Sequence, residues 1–207
     1  MEPLHQVTPI WESKALGVVS GKQVLLKMDA FQPAGSFKIR GMGAACQSHF
    51  EAGARHLVCS SGGNAGYAVA YAGRKLGARV TVVVPQTASE RSREMIRSEG
   101  AEVVEHGDVW DVSHEFACEI AVDEGSAYVH PFDDPTVWQG HSSIIEEVAD
   151  AGVKPEAVVV SVGGGGLLCG VLEGLHRVGW QNVPVVAAET DCAASFKASL
   201  SAGHLVT

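Results

Sequence analysis

The stretch His56-Leu57-Val58-Cys59-Ser60-Ser61-Gly62-Gly63-Asn64-Ala65-Gly66 decides how the chain is read. Its first five residues make a strand, glycines make the turn that follows, and a helical pattern continues from about Ala65 to Leu76. Outward from it the alternation repeats. Upstream, Val24–Lys27 predicts a strand. Downstream, Val80–Val84 is a β-branched strand ended by Pro85, and Ala88–Glu99 is helical in composition with Gly100 as its stop. Glu102–Glu105 reads as a short strand, Val109–Asp123 as a helix and Ala127–Val129 as a strand. Asp134 caps a helix whose first position is Pro135 and which runs to about Ala151. Ala157–Val162 is a strand, followed by four glycines, a helix to about Val178 and a strand over Val183–Ala188. Strands alternating with helices predict an α/β fold with parallel sheets.

The 207 residues are 46% hydrophobic and 19% charged, which excludes a disordered chain. No apolar run approaches the roughly 18 residues of a membrane span, so no membrane partner is expected. No secretory signal is expected either, because no basic stretch leads into an apolar core at the N-terminus. Fifteen Lys+Arg against 24 Asp+Glu give a formal charge of −9, which argues against a nucleic-acid partner. It does not exclude a phosphorylated small molecule held by backbone N–H groups at a helix start. The cysteines Cys46, Cys59, Cys118, Cys169 and Cys192 are odd in number and lack any C-x-x-C pair. Structural zinc and disulfides are therefore not expected, and a reducing, cytoplasmic compartment is. His114-Glu115-x-x-Cys118 looks metal-like, but at helical spacing it reads as a solvated face beside a small buried residue.

Three segments carry possible chemistry. In Pro33-Ala34-Gly35-Ser36-Phe37-Lys38-Ile39-Arg40-Gly41, Lys38 sits among small and apolar residues at a helix start. Desolvation and the helix-end potential both lower a lysine pKa, as Schiff-base chemistry requires. Taken alone, the segment is better read as a solvated lysine in an ordinary loop. Ser60–Gly66 offers unpaired N–H groups for a carboxylate or phosphate, and a tight turn explains it equally well. Gly163-Gly164-Gly165-Gly166 is costly in conformational entropy and is better read as a nest for an anion. A Walker loop is excluded, since no Gly-Lys-Ser/Thr follows. The dinucleotide fingerprint fails at its third glycine, where Leu168 stands, although Glu189 lies where a ribose ligand is expected.

The three segments occur in order and at natural spacing, with Val129-His130-Pro131-Phe132-Asp133 and Gly179–Pro184 between and after them. Together they closely resemble the fold-type-II pyridoxal-phosphate L-serine/L-threonine dehydratases, and most of all the serine dehydratase-like proteins. The resemblance covers essentially the whole chain. It implies a tryptophan synthase β-like architecture of two parallel-sheet α/β domains. Residues 1–39 and 139–207 would build the large one, and 40–138 a small one inserted in it. It implies pyridoxal 5′-phosphate as cofactor, with Lys38 as the Schiff-base lysine and Phe37 on the neighbouring wall. Gly163, Gly164, Gly165, Gly166 and Leu167 would hold the phosphate, and Asn64 the ring hydroxyl. Ser61, Gly62, Gly63, Asn64 and Ala65 would hold the substrate carboxylate, and Glu189 would help hold a monovalent cation such as K⁺.

The implied reaction is deamination of a small amino acid, L-serine or L-threonine, by a cytoplasmic homodimer. Lys38 removes the α-proton, the β-hydroxyl is eliminated, and a 2-oxo acid and ammonia result. A serine racemase or β-replacing enzyme on the same fold shares all three loops. A non-catalytic cofactor- or amino-acid-binding protein is a further alternative. Ala34 stands where these enzymes often have serine. The sequence stops at Thr207, before the family's remaining large-domain strands and the residue that bonds the pyridine nitrogen, so a C-terminally incomplete large domain is expected. A chain ending there is expected to self-associate and to turn over little substrate.

Overall fold

In the computed structural model, which describes residues 1–206, β1 (Ile10–Glu12) and β2 (Leu25–Lys27) pair antiparallel around α1 (Lys14–Ser20). A 3-10 turn, Asp29–Phe31, leads to α2 (Lys38–Glu51). There follow β3 (His56–Ser60), α3 (Asn64–Leu76), β4 (Arg79–Val84), α4 (Glu90–Ser98), β5 (Glu102–Glu105), α5 (Trp110–Ile120) and β6 (Ser126–Tyr128). The chain then passes through α6 (Pro135–Asp150) to β7 (Val158–Ser161), α7 (Gly166–Arg177), β8 (Val185–Ala188) and α8 (Ser195–Ala202). The expected helices and strands are present within a few residues of their ends. The hairpin partner β1 and helix α1 have no counterpart among the sequence expectations. No residue of α1 is buried, so no apolar stripe marks it in the sequence.

The four central strands run parallel in the order β5-β4-β3-β6. Alternation along them divides two cores. Leu57, Cys59, Val80, Val82 and Val84 pack toward α2 and α3, while Val58 and Val83 pack on Ala117 of α5. Both faces are covered, which is why β3 is buried at all five positions and is apolar through its centre, Leu57–Cys59. A separate parallel pair, β7 with β8, packs through Val160 and Val162 on Ile145 of α6 and on Leu168, Val171 and Leu175 of α7.

Glycines bring α2, α6 and α7 together. A Cβ on Gly140 would lie 2.4 Å from the Arg40 carbonyl oxygen, and one on Gly170 would lie 2.4 Å from the His141 Cβ. Only bare backbone fits those crossings.

At the α2–α6 crossing lies a buried ion cluster. Arg40 is fully buried and all its N–H groups are used. Its Nε donates to Asp29 at 2.7 Å, its Nη1 to Glu147 at 2.5 Å and to Ser143 at 3.0 Å, and its Nη2 to Asp29 and Glu147 at 2.9 and 3.0 Å. Lys27 of β2 donates to the same Glu147 and to Thr8, whose hydroxyl donates to Asp29. Burial pushes both carboxyls up, and the bonds from Arg40 outweigh it, holding Asp29 and Glu147 below the usual carboxylate range. The N-terminal segment, β2, α2 and α6 thus share one charge network. Removing its only guanidinium leaves half-buried Asp29 with no bonded cation and Glu147 with Lys27 alone, so Arg40→Met should destabilise the fold by about 3–5 kcal/mol. Urea unfolding at pH 7 measures this, and a loss under about 1 kcal/mol would contradict the account.

Candidate functional site

The first turns of three helices, α2 behind Phe37, α3 behind Gly63 and α7 behind Gly165, have no side-chain cap, and α5 behind Val109 is the fourth such helix among the described residues. By contrast, the oxygens of Ser13, Ser89 and Asp134 cap α1, α4 and α6. Uncapped N–H groups at the positive end of a helix suit an anion. A chain of contacts joins the three starts. Lys38, the first residue of α2, donates from Nζ to the Pro131 carbonyl at 2.5 Å. The next residue, Phe132, lies against the glycine run before α7. Its ring is 5.5 Å from that of Trp110, whose Nε1 donates to the Ser60 carbonyl at 2.8 Å, where the loop into α3 departs.

Lys38 is partly buried, and burial holds its ammonium below the ordinary lysine range. The Phe37 centroid is 5.5 Å from its Nζ, and the Phe37 ring meets His141 edge-on at 5.0 Å. Cys59, on the adjoining strand, is fully buried; burial pushes its thiol up to about 12 against the pull of the Lys38 charge. It stays a neutral thiol.

The four glycines do different work. A Cβ on Gly164 would lie 2.4 Å from the Phe132 ring, and one on Gly166 would lie 2.6 Å from the Phe132 carbonyl oxygen. Those two seat Phe132. Around Gly163 and Gly165 a Cβ would meet nothing within 4 Å, and Gly165 holds φ at +83°. Those two leave an open cradle of backbone at the N-terminus of α7. Leu167 is half-buried against the second core and offers the cradle its N–H alone.

In the other loop, the Gly63 N–H donates to Ser61 Oγ at 3.3 Å, and Gly62 sits close under Ala88. Gly63 and Asn64 are exposed, whereas Ala65 is buried in the main core, so only its backbone is available. Glu189 lies at the end of β8, apart from these groups. Its two carboxylate oxygens accept the N–H groups of Phe196 and Lys197 at 2.9 and 2.8 Å, at the start of α8.

Several site neighbours carry no sequence signal of their own. The Tyr128 hydroxyl lies 2.6 Å from Ser60 Oγ and 2.7 Å from His114 Nδ1, so His114 belongs to this network. No group of three or more metal-ligating side chains occurs among the described residues. His141 is fully buried with neither ring nitrogen bonded, and Ser36 Oγ is also buried without a partner. Single histidines and tyrosines have no periodicity, and only the folded chain brings them to the cleft.

The residues fit pyridoxal 5′-phosphate. A partly desolvated amine, an N–H cradle with room for an anion and a loop with an exposed amide are joined through Pro131, Phe132 and Trp110. Comparisons agree. The family model described as pyridoxal-phosphate dependent enzyme matches residues 1–207. The chain is 53% identical over 207 residues to a mouse protein named serine dehydratase-like, covering all of this chain and 63% of that one. It is 50% identical over 208 residues to a human protein named L-serine dehydratase/L-threonine deaminase, again covering 63% of it. The crystal structure of a fungal L-serine ammonia-lyase from Rhizomucor miehei superimposes with a TM-score of 0.92 at 37% identity, over 99% of this chain and 66% of that one. The chain thus spans about 63% of the length of the curated relatives it matches.

Two measurements follow. Gly163→Ala should leave urea stability unchanged while weakening pyridoxal-phosphate binding, because its methyl enters only the cradle. Gly164→Ala should cost about 1–3 kcal/mol, since Phe132 must move. Equal stability of the two variants would contradict this division of the glycines. Secondly, burial is the first cause that holds His5, His56, His130 and His141 below the ordinary imidazole range, His141 at about 3. Unfolding therefore takes up protons below about pH 6.5. Stability should be full above that pH and fall as the pH drops toward the folded values. Identical urea midpoints at pH 7.5 and 5.5 would overturn it.

Proposed function

The chain belongs to the pyridoxal-phosphate dependent enzymes, and on that premise we propose that it deaminates L-serine or L-threonine to a 2-oxo acid and ammonia. The observation that carries the reading is the Lys38 amine, partly desolvated and bonded to the Pro131 carbonyl, next to Phe132, which packs on the Gly163–Gly166 cradle. The names and near-half identity of the relatives support the choice of substrate.

When bound, pyridoxal phosphate supplies an electron sink for a carbanion at the substrate α-carbon. The chain's own residues do the rest. The open N–H groups of Gly163–Leu167, at the positive end of α7, bind the phosphate. Phe37 walls the ring, and the Asn64 amide offers a donor to its hydroxyl oxygen. The N–H groups of Ser61–Ala65, at the uncapped start of α3, orient the substrate carboxylate. Lys38 Nζ takes the α-proton, and its burial favours the neutral amine that this needs. The β-hydroxyl takes a proton and leaves as water, and hydrolysis of the released 2-aminoacrylate or its methyl homologue gives the 2-oxo acid and ammonia.

The reading extends to the arrangement of the chain. We divide it into a small domain, 40–138, and a large one formed by 1–39 and 139–207. The four-stranded sheet falls within 56–128, and the second core within 145–183. A monovalent cation such as K⁺ is assigned to Glu189, whose oxygens each keep a second lone pair beside their N–H bonds. A homodimer is taken over from the resemblance. A reducing, cytoplasmic setting is supported by five free thiols. No helix among the described residues is long and apolar enough to cross a membrane.

Incubation with pyridoxal phosphate and L-serine or L-threonine tests the reaction through its products. Pyruvate or 2-oxobutanoate with ammonia is expected; D-serine alone would mark a racemase, and no product a binding protein. Lys38→Ala should lower turnover to the uncatalysed background and abolish the borohydride-stable label. A label found on Lys27 or Lys75 would sink the assignment.

A further inference from the structure

His130 has no part in the reaction described above, yet it organises the turn that meets Lys38. Its Nδ1 accepts the Asp133 N–H at 2.7 Å and the Phe132 N–H at 3.3 Å, which leaves the ring proton on Nε2. These bonds fold residues 130–133 back on themselves with the buried Pro131 at the bend. The turn is held from two more sides. Trp138 Nε1 donates to the Phe132 carbonyl at 2.7 Å, and the Phe132 ring rests on Gly164. The His130 ring itself is wedged among Trp110, His114 and Tyr128, with centroids 6.0, 5.4 and 5.9 Å away. With every neighbour fixed, the Pro131 carbonyl points at Lys38 Nζ.

We propose that His130 is a positioning residue: by folding residues 130–133 it aims the Pro131 carbonyl at Lys38 Nζ, parks the ammonium there, and so sets the pH at which Lys38 becomes a free amine. The inference rests on Lys38 being the cofactor lysine. Its physical basis is the balance at Nζ. Burial disfavours the ammonium, and a carbonyl acceptor favours it. The titratable groups that face Lys38 are Cys59 from β3, His141 from α6 and His130 itself. Burial keeps the thiol protonated and both imidazoles neutral above pH 7. The carbonyl dipole is then the main polar partner of the ammonium, and His130 decides where that dipole points.

The test measures the rate of covalent capture of pyridoxal phosphate between pH 7 and 10. In that capture the neutral Lys38 amine adds to the aldehyde carbon and water leaves. Borohydride fixes the adduct and peptide mapping locates it, so the readout is independent of turnover. His130→Phe keeps a ring in the aromatic cluster but loses the acceptor. His130→Asn loses the ring but keeps an oxygen able to accept the same backbone N–H groups, as in an Asx turn. In His130→Phe the midpoint of the pH–rate profile should move down by about one unit, the size expected for one lost bond to a charged group. His130→Asn should stay near the wild-type midpoint. An unmoved midpoint in His130→Phe, with wild type labelled at Lys38, overturns the inference alone. An equal shift in both variants also overturns it, because the ring and not the acceptor would then matter. Absence of label at Lys38 in wild type overturns the reading of Lys38 and this inference together.

Discussion

The buried guanidinium of Arg40 is the constraint on which the site depends. A charge with no access to water is tolerable only when every N–H is bonded, and here Asp29, Ser143 and Glu147 supply the acceptors. Those partners come from the segment after β2 and from α6, so satisfying one side chain fixes the start of α2 against both. Lys38 lies two residues before Arg40. The direction of its amine follows from a network it does not join.

Close helix crossings extend that constraint to the glycine loop. Gly41 lies against the His141 ring and Gly170 against its Cβ and backbone, so one buried residue on α6 touches α2 and α7 at once. Phe37 closes the front of the same ring. The lysine at the start of α2 and the cradle at the start of α7 are therefore placed by one packed unit. The cost is an imidazole with no bonded nitrogen, buried where protonation is strongly opposed.

The cleft is also an electrostatic arrangement. The uncapped starts of α2, α3 and α7 are joined there by contacts, and the groups around the lysine are held neutral by burial. Positive potential comes from backbone dipoles, with few mobile charges to screen it, in a chain whose formal charge is −9. An anionic cofactor and an anionic substrate group suit such a cleft. The acidic surface elsewhere discourages other polyanions.

The alternation of strands and helices was legible in the sequence because burial on both faces leaves short apolar runs such as Leu57–Cys59, and punctuation such as Asp134-Pro135 and Gly100 marks helix ends. Both glycine-bearing turns were legible as turns, since glycine needed for bare backbone leaves a mark in the sequence itself, whereas the lysine alone read as a solvated loop residue and stood out only beside the other two segments. The hairpin of β1 with β2 was not, because three-residue strands and an exposed α1 carry no pattern. Nor was the division of the glycine run into two residues that seat Phe132 and two that leave a cradle. The residue that makes the difference, Phe132, lies some thirty residues upstream, and only folding brings it there. Likewise Tyr128, Trp110 and Arg40 acquire their partners across long sequence separations. Local sequence determined which backbone segments bend, cap and pair, because those preferences act over a few residues. Tertiary structure decided which side chains meet, because hydrogen bonds and packing act only between atoms in contact.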